Sequence, residues 1–559
     1  MSQMSKATAR SGSDTAASMS VRESAVHPVD SPDPAREPDL DTSANADVEP
    51  HSEIELKFSC DPARLSEVAN VPIISEHARG AGTNVDLKAI YYDTPDFDLR
   101  KSDLALRVRS DGSRCVMTLK SGAPKNGKAL MRDEWSVSVP AMEPDLAALS
   151  QVLSSEILAR IQAAPLHPVF STEVRRHTRV LDTPLGTVEL ALDRGRIVAG
   201  ERFEQISEVE LELLQGRTEA IYQLTHDLLK DTDLRPSIRS KSARGFDLAL
   251  DTAPEAGKAR KIRIGGDPTL DQALDRILRA AFQHLMESQP AAEDGRRPEG
   301  LHQFRVALRR LRSVLTLVRS IAPQCPRLNS HRDDARWLMA ELGDARNWDV
   351  LATETVPEIA QACPSVEGFD SLAGLADRYR HEAHERARAA IANPRTGRFQ
   401  IALALWVEQK GWRVGVLPKH RHLLSAPARG FAIKALRKFH RTALKRGSHF
   451  RKLTPDERHR LRIAVKKLRY AADFLAPLAM KKAACRQYSR ILAELQDQLG
   501  HANDMVVTQQ LVREILKSEV PPAARGAAGA LAGWQTCNLK RNDEQLLSTW
   551  KRFRKLPLP

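Results

Sequence analysis

Near residue 252 the hydrophobic periodicity of this chain changes, and the change divides it into parts that cannot share one architecture. Between residues 51 and 250 apolar side chains come in short runs, at 54–58, 104–108, 115–119, 135–139, 188–192 and 208–214. Gly, Pro and Asp clusters separate the runs. Short β-type runs broken by turn residues predict an antiparallel sheet or barrel, with one helix over 218–230. A polar stretch at 251–265 reads as a linker. From 266 to 559 the chain is rich in Ala, Leu and Arg and reads as helical, with an internal repeat. The segment from His302 to Arg312 matches that from His459 to Arg469 at an offset of 157, and Leu342-Gly343 matches Leu499-Gly500 at the same offset. The expected class is therefore α+β multidomain: a β-barrel over 51–250, then an all-α duplicated helical bundle over 266–559. Residues 1–50, rich in Ser, Ala, Asp and Pro, read as a disordered tail.

Two strand-like runs carry carboxylates on one face. Glu53, Glu55 and Lys57 alternate with Ile54, Leu56 and Phe58, and Glu208, Glu210 and Glu212 repeat the arrangement far along the chain. Alternate residues of a strand share a face, so these carboxylates repel unless a cation neutralises them. A solvated edge strand accounts for one such run alone. Hard divalent ions such as Mg²⁺ or Mn²⁺ take this kind of oxygen ligand. Between the runs stand Arg107 and Arg109, Lys120, Arg132 beside Glu134, Arg176 in a basic run, and Lys241 and Arg244. One explanation covers both signs of charge. The cations bind a multiply charged anion and the carboxylates hold a metal that bridges it, as phosphoryl transfer requires.

The formal charge of +14 is unevenly spread. Residues 1–50 carry 4 basic and 9 acidic side chains, residues 51–250 carry 26 and 30, and residues 251–559 carry 55 and 32. The positive excess of +23 in the last part attracts polyanions. Six scattered cysteines without a CxxC pair argue against a zinc site or disulfide framework and fit a reducing cytoplasm. No apolar run reaches the length of a membrane span and no signal peptide is evident, so a cytoplasmic protein is expected.

In order, Glu53-Ile-Glu55-Leu-Lys57, Tyr91-Tyr92-Asp93-Thr94, Leu106-Arg107-Val108-Arg109, Thr118-Leu119-Lys120, the run from Glu189 through Asp193 to Gly195, Glu208 to Glu212, and Ser240 to Gly245 make residues 51–250 resemble a CYTH domain of the triphosphate tunnel metalloenzymes. The resemblance implies an antiparallel barrel whose tunnel holds a triphosphate. By it Lys57, Arg107, Arg109, Lys120, Arg132, Arg176, Lys241 and Arg244 would bind phosphates. Glu53, Glu55, Glu208, Glu210 and Glu212 would supply metal ligands, with Asp193 and Glu134 as further candidates. The run Arg175-Arg176-His177 leaves open which side chain faces inward. Tyr91 and Tyr92 read as packing residues at a strand end, and Asp93-Thr94-Pro95 as a turn.

On a helix, His302, Arg305, Arg309 and Arg312 fall within an arc of about 80°. The repeat sets His459, Arg462, Lys466 and Arg469 on the equivalent face, and Arg310 and Lys467 join them as candidate anion ligands. The second copy opens with Thr454-Pro455-Asp456-Glu457, a capping-box pattern. The Leu-Gly pairs read as helix ends or packing contacts. These repeats resemble a CHAD domain, which implies two helical bundles and binding of long-chain inorganic polyphosphate. The expected activity of the whole is Mg²⁺- or Mn²⁺-dependent hydrolysis of inorganic triphosphate to pyrophosphate and phosphate. A thiamine-triphosphatase, an adenylate cyclase and a non-catalytic polyphosphate-binding protein are the alternatives. Nucleic-acid binding is less favoured, because no aromatic side chains interleave the basic face, and no membrane partner is expected.

Overall fold

The computed structural model describes residues 51–121, 131–151, 153–260, 262, 265–517 and 519–557, with side chains for all but 51–53, 121, 131–133, 501–504 and 538–542. The tail expected over 1–50 lies outside the described residues, as do the side chains of Glu53 and Arg132.

Among the described residues nine strands form: β1 His51–Ser59, β2 Thr83–Asp93, β3 Leu104–Ser110, β4 Cys115–Ser121, β5 Met131–Val139, β6 His167–Thr183, β7 Gly186–Ala199, β8 Arg202–Gly216 and β9 Arg235–Ser237. They make one antiparallel sheet in the order β5-β4-β3-β2-β6-β7-β8-β1-β9. β1 pairs with β8 through residues 55–59 and with β5 through residues 51–54. Every run expected to be a strand lies within one of these elements. The long strands β2 and β6 went unnamed as runs, because charged and polar residues such as Asp86, Lys88, Glu173 and Arg175 interrupt their apolar alternation.

The sheet inverts the usual distribution of polarity. Leu56 and Phe58 of β1, Leu190 and Leu192 of β7, and Val209 and Leu211 of β8 are buried on the outer face. They pack beneath the helix Thr218–Asp231, whose Ile221, Leu224 and Leu228 complete that core. Burying each such side chain stabilises the fold by about 1.5–3 kcal/mol. The partners at alternate positions, Glu55, Lys57, Glu189, Asp193, Glu210 and Glu212, face a cavity on the other side.

The remaining chain is helical. The helix Leu270–Asp294 opens it, capped by Thr269 and Gln272 in a reciprocal capping box. The first repeat helix is Pro298–Arg319 and the second is Pro455–Ala479, where Thr454 and Glu457 form the expected capping box. Phe304, Leu308 and Leu311 of the first and Leu461, Val465 and Leu468 of the second belong to one apolar core. The helix Pro394–Glu408 ties the two regions together. Its Ile401, Ala404 and Leu405 enter the core under the sheet, while Phe399, Leu403 and Trp406 enter the helical core. Buried Gln400 and Gln289 are hydrogen-bonded at 2.5 Å beside that seam.

The Leu-Gly pairs serve packing. Leu342 caps the helix Pro326–Glu341 with φ −84° and ψ 1°, whereas Leu499 sits inside the unbroken helix Lys482–Ile515. Both leucines are buried, so packing is what the repeat preserves. Among the described residues no helix is long and apolar enough to cross a membrane, and all six cysteines are free thiols.

Candidate active site

Strand register decides which charges meet. On β1 and β8, Glu55 stands opposite Glu212 and Lys57 opposite Glu210. On β7, Glu189 stands opposite Glu212 and Asp193 opposite Glu208. On β6, Arg176 stands opposite Asp193. That register answers the question left by the basic run. Arg176 points inward, while Arg175 points to solvent and pairs with Asp86.

The inward groups form a dense ionic lattice. Lys57 lies 2.5 Å from Glu55 and 2.6 Å from Glu210. Arg176 donates two hydrogen bonds of 2.7 Å to Asp193 and one of 2.5 Å to Glu210. Lys241, from the first turn of the helix Lys241–Leu250, reaches Asp193 and Glu208 at 2.7 Å and Glu210 at 2.8 Å. Arg244, one turn on, pairs with Glu208 and lies 2.7 Å from Glu204. That helix is capped by Ser240, and Gly245 lets it close onto the sheet, since a Cβ there would sit 2.0 Å from the Phe170 ring.

A second group lies across the cavity. Arg107 lies 3.7 Å from Glu134, which also pairs with Lys120, and both Tyr91 and Glu134 favour its charge. Tyr91 stacks on Phe170 at 4.4 Å and packs as expected. Tyr92 packs as expected and donates its hydroxyl to the Met142 carbonyl. Asp93 is fully buried and accepts the backbone N–H groups of Thr94, Leu99 and Arg100, which fixes the expected turn.

The electrostatics differ between the two groups. Burial opposes the charge of Glu210, but Lys241, Lys57 and Arg176 outweigh it and hold the carboxyl well below its ordinary range. Burial also opposes the charges of Lys57, Arg176 and Lys241, and the carboxylates around them more than offset it, raising all three. Arg109 is the contrast. Burial, followed by the neighbouring Arg107 and Arg176, pushes it down to about 10. Among the described residues it has no ion-pair partner.

The cavity these groups line has a volume of about 590 Å³. Among the described lining residues are ten carboxylates and eight cationic side chains, so an added polyanion exceeds the available positive charge. Asp193, Glu208 and Glu210 present oxygens within 4.8 Å of one another, a hard donor set suited to Mg²⁺ or Mn²⁺. Sequence reasoning missed Glu189 and Arg239 on the wall. Glu189 was findable, four residues from Asp193 on the same strand face. Arg239 follows β9 in an irregular segment, where no periodicity marks it.

In the helical region the first repeat crowds like charges. Arg305 is pushed down to about 10 by burial and then by Arg309 and Arg346. It donates to the Met339 carbonyl at 3.2 Å. Burial and then Arg346 lower His302 as well, and burial and then Arg336 lower Arg312. Of the second repeat, His459 and Lys467 are exposed and Arg462, Lys466 and Arg469 half-buried. Arg310 departs from the basic face: its guanidinium lies 4.9 Å over the Phe474 ring and 4.0 Å from Asp473, both on the second repeat helix. It joins the two copies.

Comparison with known proteins is consistent with this division. Residues 51–246 match the family model of the CYTH domain and residues 276–513 that of the CHAD domain. Over 199 residues the chain is 30% identical to an inorganic triphosphatase of Haemophilus influenzae, a match spanning 35% of this chain and 54% of that relative. The chain thus spans about half the length of that protein. An uncharacterized protein of Mycobacterium tuberculosis is 23% identical over 558 residues, 94% of this chain and 98% of its own. The crystal structure of the CHAD domain from the plant Ricinus communis is similar over 55% of this chain and 98% of its own, at 30% identity and a TM-score of 0.47.

Proposed function

Because the chain carries a CYTH domain followed by a CHAD domain, we propose that it hydrolyses inorganic triphosphate to pyrophosphate and phosphate with Mg²⁺ or Mn²⁺, and that its helical domain binds long-chain polyphosphate. The division into a catalytic domain at 51–250, a linker at 251–265 and a binding domain at 266–559 is part of the same proposal, as is a closed tunnel, which the pairing of β1 with both β5 and β8 supports.

The observation that carries the catalytic reading is the state of Arg109. A half-buried cation without an ion-pair partner among the described residues, beside the paired Arg176, marks where a ligand anion is needed. Arg107, Arg109 and Lys120 supply that wall, and Arg132 would join them as a phosphate ligand. Lys57, Arg176, Lys241 and Arg244 stand opposite, held by carboxylates. Glu53, Glu55, Glu208, Glu210, Glu212 and Asp193 would hold the metal, which would neutralise phosphate oxygens and draw electron density from phosphorus.

Loading the site is then an exchange of partners. Were Asp193, Glu208 and Glu210 to hold a divalent cation, it would supply part of the neutralisation that Arg176 and Lys241 now give these carboxylates, leaving those two side chains able to bind phosphate oxygens. Held between the two cationic walls, the triphosphate keeps its terminal phosphorus oriented for in-line attack by water. A P–O bond to water forms as the bond to pyrophosphate breaks.

The polyphosphate reading rests on the crowding around Arg305. Phosphate release from tripolyphosphate, pyrophosphate, ATP and thiamine triphosphate, with and without EDTA, tests the catalytic reading. Fast, EDTA-sensitive release from tripolyphosphate is expected. Preference for ATP or thiamine triphosphate would overturn the inorganic substrate, and no turnover of any would overturn catalysis.

A further inference from the structure

The wall of the cavity includes residues from outside the strands. Pro254 and Glu255 come from the segment following the helix Lys241–Leu250, and Glu287 and Pro290 come from the helix Leu270–Asp294. We propose that Glu255 and Glu287 form a charged stop that limits how long a phosphate chain the cavity accepts. This rests on reading the cavity as a triphosphate site.

Three observations support it. First, the segment is held in place. Thr252 donates to Asp247 at 3.2 Å, and the Thr252 carbonyl accepts from Arg296 at 3.2 Å. Gly257 lies so close to the helix that a Cβ there would sit 2.6 Å from the Glu287 carbonyl carbon. Second, the helix is fixed against the sheet, with Gln289 donating to the Pro236 carbonyl at 3.5 Å. The acidic wall is thus built from two rigid pieces. Third, its charge is weakly compensated. Glu287 accepts from Gln283 at 2.7 Å and faces the exposed Arg260 at 3.3 Å, while Glu255 has no ion pair among the described residues. Arg239, the nearby cation of the wall, is engaged by Asp247 at 2.9 Å.

Each added phosphate brings a negative charge, while two cations of the wall beyond the strands, Arg100 and Arg239, are already engaged by Asp247. A fourth phosphate reaching this wall meets the like charges of exposed Glu255 and half-buried Glu287, which weakens its binding by about tenfold. The helical region would then set substrate length for the strand region.

The test uses the full chain with Glu255→Gln and Glu287→Gln together. Phosphate release with Mg²⁺ is compared for tripolyphosphate and tetrapolyphosphate, alongside calorimetric affinities for both without metal. The ratio of kcat/KM for tetrapolyphosphate to that for tripolyphosphate is expected to rise about tenfold in the variant. The affinity ratio should rise in parallel, since any binding to the helical region is common to both proteins. Unchanged ratios, or equal losses on both substrates, overturn the stop. If the unaltered protein hydrolyses neither, the catalytic reading falls, and the affinity ratio still decides the stop.

Discussion

Arg176 of β6 and Asp193 of β7 face each other across the sheet and share two hydrogen bonds of 2.7 Å, with Asp193 fully buried. Glu210 is held by the same guanidinium at 2.5 Å. Removing Arg176 leaves two buried carboxylates short of a partner. Arg176→Met is therefore expected to destabilise the protein by about 3 kcal/mol, because breaking a buried pair from one side strands its charge. Adding Asp193→Asn should recover part of that loss. Thermal or denaturant unfolding of the single and double variants checks it, and an additive double variant would refute the coupling.

Glu55 and Glu210 share Lys57, at 2.5 and 2.6 Å. If these carboxylates exchange Lys57 for a divalent cation during turnover, Glu55→Gln and Glu210→Gln should each lower metal-dependent phosphate release by about 100-fold or more. Near-normal Mg²⁺-dependent release by either variant removes that residue from the metal set.

Arg109 invites the opposite balance. Its charge is held in the fold without a partner and against Arg107 and Arg176. Arg109→Met is expected to raise the unfolding temperature slightly while raising KM for tripolyphosphate by about tenfold or more, since truncating a charged ligand contact costs about 1.5–3 kcal/mol. Loss of stability with KM unchanged would make Arg109 a structural residue.

The pH dependence has a definite sign. Glu210 titrates well below its ordinary value of 4.5, because three cations outweigh its burial. A carboxylate depressed by folding contributes stability that is fully present above its unfolded pKa and is lost as pH falls through the folded one. Stability should therefore lose this contribution below pH 4.5. Unfolding temperatures measured across that range should fall less steeply in Glu210→Gln than in the unaltered protein. Equal slopes would contradict the shift.

Much of this arrangement was legible in local alternation. Glu55 with Lys57, Glu208 with Glu210, and Arg107 with Arg109 each share a strand face, which period two alone predicts. What alternation cannot supply is adjacency. That β1 lies beside β8, so that Lys57 meets Glu210 153 residues away, is a property of the sheet order. The same limit explains the ambiguity at Arg175-Arg176-His177, which vanishes once Asp193 stands opposite Arg176. Arg310 shows a different limit. Its charge matches the basic repeat, but its angular position turns it toward Phe474, and only the packing of the two repeats brings that ring to it.

The crowded arginines of the first repeat supply the last prediction. Arg305 is lowered to about 10 because burial, Arg309 and Arg346 all disfavour its charge. An anion bridging these groups would relieve that repulsion, so binding and electrostatic relaxation reinforce each other. Arg305→Gln with Arg309→Gln should weaken long-chain polyphosphate binding by about 100-fold at low salt and flatten its salt dependence, since fewer counterions are released. Tripolyphosphate hydrolysis should be unchanged, because neither residue lines the cavity proposed to hold the triphosphate. Affinity measured over a range of ionic strengths, beside turnover, separates the outcomes. Undiminished binding would move the polyphosphate site off this helix, and a parallel loss of hydrolysis would mean that the two regions act as one.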